Sequence, residues 1–143
     1  MNGDRFFMDT SFVIARFNKN DSYHDAATDL LPRVRAAKEI WLHDGIVIEV
    51  ADGLSSQSSR GTAIDFIDRA YNTTNVHIVP VNRDLLNRTV ELYRNRPDKD
   101  WGLTDCISFI VMQDEGLTEA LTADRHFEQS GFQALLREKA EKS

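Results

Sequence analysis

Asp9, Glu49, Asp105 and Asp124 are the residues of this 143-residue chain whose type and placement suit chemistry. Asp9 and Asp124 directly follow short apolar runs that read as strands, Phe6-Phe7-Met8 and Ala120-Leu121-Thr122-Ala123. Glu49 and Asp105 fall within or at the start of segments that read as helices. In an open α/β sheet, ligand sites form beyond the carboxyl ends of the strands, so acids at those ends converge however far apart they are in sequence. Hard divalent cations such as Mg²⁺ take oxygen ligands and keep several waters, and a few carboxylates suffice to hold one. Two such ions roughly 3.5–4 Å apart activate a water and stabilise the leaving oxygen of a phosphodiester. That chemistry needs no catalytic histidine or cysteine, and neither falls at a persuasive position here.

Each acid also has a plainer reading. Asp9 could cap the helix that opens at Thr10, Asp105 could be a first-turn acid favoured by the helix dipole, and Asp124 could cap the helix after it. Glu49 resists such a reading, because it lies in the apolar run Ile46-Val47-Ile48-Glu49-Val50-Ala51, where an unpaired acid is costly.

The elements that must position these acids follow from periodicity. Residues 5–8 read as a strand, 22–37 as an amphipathic helix that Pro32 should kink or split, and Ile40-Trp41-Leu42 as a second strand. A helix carries Val47 to Leu54, residues 57–61 form a serine-rich junction, and Ala63 to Tyr71 mark another helix. Residues 76–81 alternate as a strand ending at Pro80, and Leu85 to Tyr93 fit a helix. Residues 94–101 read as an exposed charged loop. The segment 103–115 is apolar on nearly all sides, the mark of a helix buried mid-fold, so Ile107 and Ile110 should both be hidden with Asp105 facing the site. A strand over 119–123, a short helix from Asp124 and a strand near 132–136 complete the pattern. Strands alternating with helices imply an α/β fold with a mainly parallel sheet covered on both faces. The length fits one domain, 1–143, with 137–143 a frayed, charged helix end.

Composition sets bounds. Hydrophobic content of 41% and charged content of 28% are those of a globular protein. A single cysteine, Cys106, excludes a disulfide framework and a thiolate zinc site. No run suits a signal peptide or a bilayer span, so the expectation is a cytoplasmic protein without a membrane partner. The net charge of −6 argues superficially against nucleic acid, but the four acids supply −4 of it, and bound cations would cancel that share. Arg83, Arg88, Arg94, Arg96 and Lys99 cluster in one stretch and, with Arg125, are candidates for holding an RNA backbone; a solvated helix face is the plainer reading.

Alternatives from other reaction classes lack their residues. A phosphatase with an aspartyl nucleophile wants a second aspartate where Ser11 stands, a receiver domain wants a late lysine that 118–127 lacks, and no Gly-rich phosphate loop is present. His24, His43, His77 and His126 show no metal-ligand spacing; His43-Asp44 reads as a strand end and His126 as a surface residue.

Four segments, Phe7-Met8-Asp9-Thr10-Ser11-Phe12, Ile48-Glu49-Val50, Leu103 to Phe109 and Leu121 to Phe127, resemble the PIN-domain ribonucleases, in particular the VapC-like toxins of bacterial toxin–antitoxin pairs. They stand in the family's order and cover about residues 5–136. The resemblance implies a three-layer α/β/α fold, Mg²⁺ or Mn²⁺ at the acids, and cleavage of RNA. By position it makes Asp9, Asp105 and Asp124 metal ligands, with Glu49 a ligand directly or through water. Thr10, Ser11 and Thr122 stand where hydroxyls orient carboxylates or waters, and Asp100 is a candidate for a similar supporting role. An antitoxin protein and a second copy of the chain are the partners it suggests; Tyr71, Tyr93, Phe127 and Phe132 are candidates for a homodimer face or an antitoxin groove, and core packing accounts for them equally well. The alternative from another class is a PIN-like module that binds RNA or a protein without cutting.

Overall fold

The computed structural model describes residues 3–142. Strands β1 (Arg5–Met8), β2 (Glu39–His43), β3 (Val76–Val79), β4 (Glu119–Leu121) and β5 (Gln133–Ala134) form one sheet in the order β3-β2-β1-β4-β5. All four pairings are parallel. The connecting helices are α1 (Thr10–Phe17), α2 (His24–Arg35), α3 (Asp44–Gly53), α4 (Arg60–Asn72), α5 (Arg83–Asn95), α6 (Leu103–Asp114), α7 (Arg125–Gln129) and α8 (Leu135–Lys142). This is the three-layer α/β/α architecture expected from the strand–helix alternation.

Consecutive residues of a strand point to opposite faces, and β1 uses this to hold two cores. Phe6 joins Leu30 of α2 and Leu136 of α8 on one side; Phe7 joins Phe109 of α6 and Phe127 of α7 on the other. Helix α6 is the keystone of the second core. Cys106 through Met112 are buried in unbroken succession, Ile107 and Ile110 at 6% exposure each, as its all-round apolar composition requires. The Phe109 ring meets Trp101 and Phe127 edge-on, with centroids 5.0 and 5.1 Å apart.

Some expectations fail in detail. Pro32 does not split α2, which runs on to Arg35; the proline lies in the last turn, where few further hydrogen bonds depend on it. The strand expected near 132–136 shortens to two residues, because Leu135 and Leu136 open α8 and bury their side chains as helical residues. Phe127 is fully buried and Phe132 packs against the same core, so neither is free to form an interface, while Tyr71 and Tyr93 remain more than half exposed. Among the described residues no helix is long and apolar enough to cross a membrane.

A buried relay ties the two helices that carry Glu49 and Asp105. The Gly45 N–H donates to Nδ1 of His43 (3.0 Å), which leaves Nε2 as the donor to Ser108 Oγ (2.9 Å), and that hydroxyl donates to the Thr104 carbonyl (3.1 Å). Burial pushes the His43 imidazole down to about 3, so it is neutral and can both accept and donate.

Truncating Phe109 to alanine should cost about 3–5 kcal/mol, through lost burial and the cavity left among Trp101, Phe127 and Phe132. Urea denaturation should show a lower midpoint at unchanged slope; a loss under 1 kcal/mol would contradict the keystone role of α6.

Candidate metal centre

In this strand order β1 lies between β2 and β4, so the chain leaves β1 and β4 at adjacent positions on the carboxyl edge of the sheet. The ladder runs one step past β1, with the Asp9 N–H donating to the Leu121 carbonyl at 3.1 Å. Asp9 therefore sits at the head of α1 beside Thr122, Ala123 and Asp124.

Asp9 occupies the N-cap position of α1, yet its side chain accepts no hydrogen bond from a backbone N–H of that helix, so capping does not explain it. Instead Oδ2 accepts from two hydroxyls, Thr122 Oγ1 at 2.8 Å and Ser11 Oγ at 2.9 Å. Each hydroxyl in turn accepts from a backbone N–H: Ser11 Oγ from Ala123 (2.9 Å), Thr122 Oγ1 from Asp124 (3.0 Å). With both protons committed to Asp9, the two hydroxyls, 3.2 Å apart, stand side by side without donating to each other.

The other acids are each held through one oxygen. Glu49 Oε1 accepts from Thr10 Oγ1 at 2.8 Å, so all three hydroxyls marked in the sequence reach an acid. Glu49 itself is exposed, and the burial cost expected from its apolar run does not arise, because its flank of α3 faces solvent. Asp105 Oδ2 accepts from the Gly102 N–H at 3.1 Å, serving the start of α6. Asp124 Oδ1 accepts from the His126 N–H at 2.9 Å, serving the start of α7. The capping readings of Asp105 and Asp124 are thus real, but each consumes one oxygen. On all four acids the second oxygen receives no hydrogen bond from the described residues.

The carboxylates sense one another. Burial pushes Asp9 up to about 6, against the two hydroxyl bonds that favour its charge; the nearby Asp105 and Glu49 raise it further. Asp105 is also raised, by burial first and then by the charge of Asp124, while the Gly102 N–H and His126 work against the rise. The four acids therefore form one electrostatic group, Glu49 and Asp105 flanking Asp9 and Asp124 flanking Asp105. Clustered carboxylates with free oxygens, two of them, Asp9 and Asp105, raised above the ordinary range, suit a hard cation: an ion would relieve the repulsion and take the free oxygens.

His126 is the residue that sequence reasoning misplaced. Its side chain is only 19% exposed, with Nδ1 at 3.2 Å from Asp105 Oδ2 and 3.3 Å from Asp124 Oδ1. Ligand atoms of Asp105, Asp124 and His126 all lie within 4.8 Å of one another, a grouping that could hold a metal. The one local signal was its place two past Asp124, since an N-cap aspartate accepts from the backbone N–H two residues on. The arginines of α5 are otherwise engaged. Arg88 forms a two-pronged pair with Asp114 (2.8 Å each), at the far end of α6 from Asp105; Arg94 pairs with Glu91 and Arg96 with Asp98. No ion pair among the described residues involves Arg83, Lys99 or Arg125, and Arg125 is exposed directly beside Asp124.

A family model described as the PIN domain matches residues 6–133, nine-tenths of the sequence. The chain belongs to the PIN domain family. Solved PIN-fold structures agree over nearly their whole length. VapC20 of Mycobacterium tuberculosis, described as a toxin that cleaves the sarcin–ricin loop, is 24% identical at a TM-score of 0.78, covering 89% of this chain and 95% of that one. VapBC2 of Rickettsia felis, solved on a DNA fragment from its promoter, is 13% identical at a TM-score of 0.62, with 92% and 96% covered. FitAcB of Neisseria gonorrhoeae is 12% identical at 0.60, with 90% and 94% covered. No curated protein sequence matches the chain. In this PIN fold all four acids named from the sequence lie at the carboxyl edge of the sheet, and the hydroxyls of Thr10, Ser11 and Thr122 touch them.

The pH dependence follows from Asp9. Its folded value, about 6, lies above the unfolded value near 3.8, so the native state binds the proton more tightly. In metal-free protein the charge on Asp9 thus costs stability at neutral pH, and the cost fades as pH falls from about 6 toward 4. Asp9→Asn removes it. In chelator, the stability advantage of Asp9→Asn over wild type should grow from pH 4.5 to 6.5 and then level off, by on the order of 3 kcal/mol at most. Urea midpoints across that range check it; a pH-independent difference would show that Asp9 is not raised.

Proposed function

We propose that this PIN-domain chain is a divalent-metal-dependent endoribonuclease, acting as the toxin of a type II toxin–antitoxin pair. The observation that carries the reading is the four-acid group at the carboxyl edge of the sheet, each acid anchored by one oxygen and offering the other. Asp9, Asp105 and Asp124 hold Mg²⁺ or Mn²⁺, with Glu49 a ligand directly or through water. The bound cation supplies Lewis acidity at the scissile phosphate and an acidified water. The chain's own residues do the positioning. Ser11 and Thr122 fix Asp9 from two sides, and Thr10 holds Glu49 at the solvent side, where an RNA strand enters. Of the basic residues marked in the sequence, Arg83, Lys99 and Arg125 form no ion pair among the described residues and would meet phosphate oxygens, since an acidic pocket does not attract RNA unaided.

A protein partner has a separate place. A cleft of about 580 Å³ lies between α1, α2 and α4, lined by Phe12, Phe17, Leu31 and Phe66 with Arg16 and Arg35 at its edges. None of the four acids lines it. An amphipathic antitoxin segment with acidic flanks fits this lining. The VapBC2 neighbour supports a partner of this kind, being a toxin–antitoxin assembly by its name. Of the two exposed tyrosines, Tyr71 follows Ala70 of the cleft lining in α4, and Tyr93 on α5 is left for a homodimer face.

Labelled RNA should be cleaved in Mg²⁺ and spared in chelator. Asp105→Asn should reduce cleavage to background and shrink the Mg²⁺-induced rise in Tm, while apo stability equals or exceeds wild type, because one repelling charge is gone. Near wild-type cleavage by Asp105→Asn would overturn the metal mechanism; the absence of any Mg²⁺-dependent cleavage by the wild type would leave a binding module instead. Neutralising Arg83, Lys99 and Arg125 together should weaken RNA binding and flatten its salt dependence by about three charges' worth of slope. An unchanged slope would move the RNA path elsewhere.

A further inference from the structure

We propose that His126 is a ligand of the same ion as Asp105 and Asp124, making the centre a mixed nitrogen–oxygen site that favours transition ions such as Mn²⁺ over Mg²⁺. The inference rests on the metal reading above and adds a residue that the four-acid pattern lacks. Three observations place the imidazole there. Nδ1, the nitrogen nearer the backbone, lies 3.2 Å from Asp105 Oδ2 and 3.3 Å from Asp124 Oδ1, equidistant between two proposed ligands. Its backbone N–H is bonded to Asp124 Oδ1, so the start of α7 fixes the ring's origin relative to that carboxylate. The side chain is largely buried, although Arg125 before it stays exposed.

The chemistry is consistent in both states. Carboxylates only accept hydrogen bonds, so without metal Nδ1 carries the ring proton and bridges Asp105 and Asp124. With an ion held by Asp105 and Asp124, Nδ1 would present its lone pair in the tautomer that carries the ring proton on Nε2. Mg²⁺ prefers oxygen almost exclusively, whereas imidazole nitrogen suits transition ions better. A ligand histidine therefore tilts selectivity, while a histidine that only bridges the acids would not.

The test uses Mn²⁺ itself as the probe, with binding read by titration and by electron spin echo modulation, and with Mg²⁺ titrated in parallel. His126→Asn is the informative variant, since its amide keeps an N–H donor for the carboxylates but removes the ligating nitrogen. Expected are nitrogen coupling to Mn²⁺ in the wild type, loss of that coupling in His126→Asn, and about a tenfold or greater loss of Mn²⁺ affinity with Mg²⁺ affinity changed less than about threefold. Mn²⁺ bound without nitrogen coupling, or equal losses for both ions, would overturn the role of His126 and leave the four-acid centre standing. Failure of the wild type to bind either ion would overturn the metal reading, and this inference with it.

Discussion

The site depends on holding a carboxylate, Asp9, in a nearly buried place beside other carboxylates. Thr122 and Ser11 make this tolerable. Each passes a backbone N–H bond through its hydroxyl to the same Asp9 oxygen, so two donors of the loop after β4 are in effect delivered to the acid after β1. The buried oxygen is satisfied, as a buried polar atom must be, and the outer oxygen is left over. Because the relay joins residues more than a hundred positions apart, it also locks the two central strands in register at their carboxyl ends. Asp124 is thereby fixed relative to Asp9 without touching it.

Electrostatic repulsion is the cost of this arrangement, and the apolar core beneath it provides the offset. Helix α6 buries seven successive residues and carries Asp105 at its first turn, so the acid cannot swing away without disturbing the core. His43 adds a second restraint: its neutral ring links the start of α3 to Ser108 of α6, which keeps the helices bearing Glu49 and Asp105 at a fixed separation. Strain held by a rigid surround is the pattern expected of a functional centre. None of the four acids lines the apolar cleft between α1, α2 and α4.

Much of this was legible in the residues. The 3.6-residue spacing of Tyr23 to Val34 and of Leu85 to Tyr93, the short apolar strands, and the all-round apolar stretch after Leu103 determine the order of elements and the parallel sheet. The acids after two strands were recognisable because the carboxyl edge of such a sheet is one place. Where the reading slipped, a local pattern had two outcomes. Glu49 looked buried in an apolar run, yet a helix turns every fourth residue outward, and Glu49 and Ile48 lie on the outward side. Leu135 and Leu136 looked like strand residues, but two apolar residues fit either element.

The sequence by itself determined an α/β scaffold with Asp9 and Asp124 directly after strands, since periodicity and strand ends are one-dimensional signals, and the resemblance to PIN-domain proteins added Glu49 and Asp105 to the same edge. Only the tertiary structure decided which oxygen of each acid is spent and which is free, because that depends on donors such as Thr122 and Gly102 reaching them from particular directions. It alone turned His126 inward to Asp105 and Asp124, as side-chain direction at a helix start follows from how that helix packs. It also paired Arg88 with Asp114, away from Asp105, because the face of α5 that meets α6 is fixed by burying Leu85 and Thr89, and the charges follow the packing.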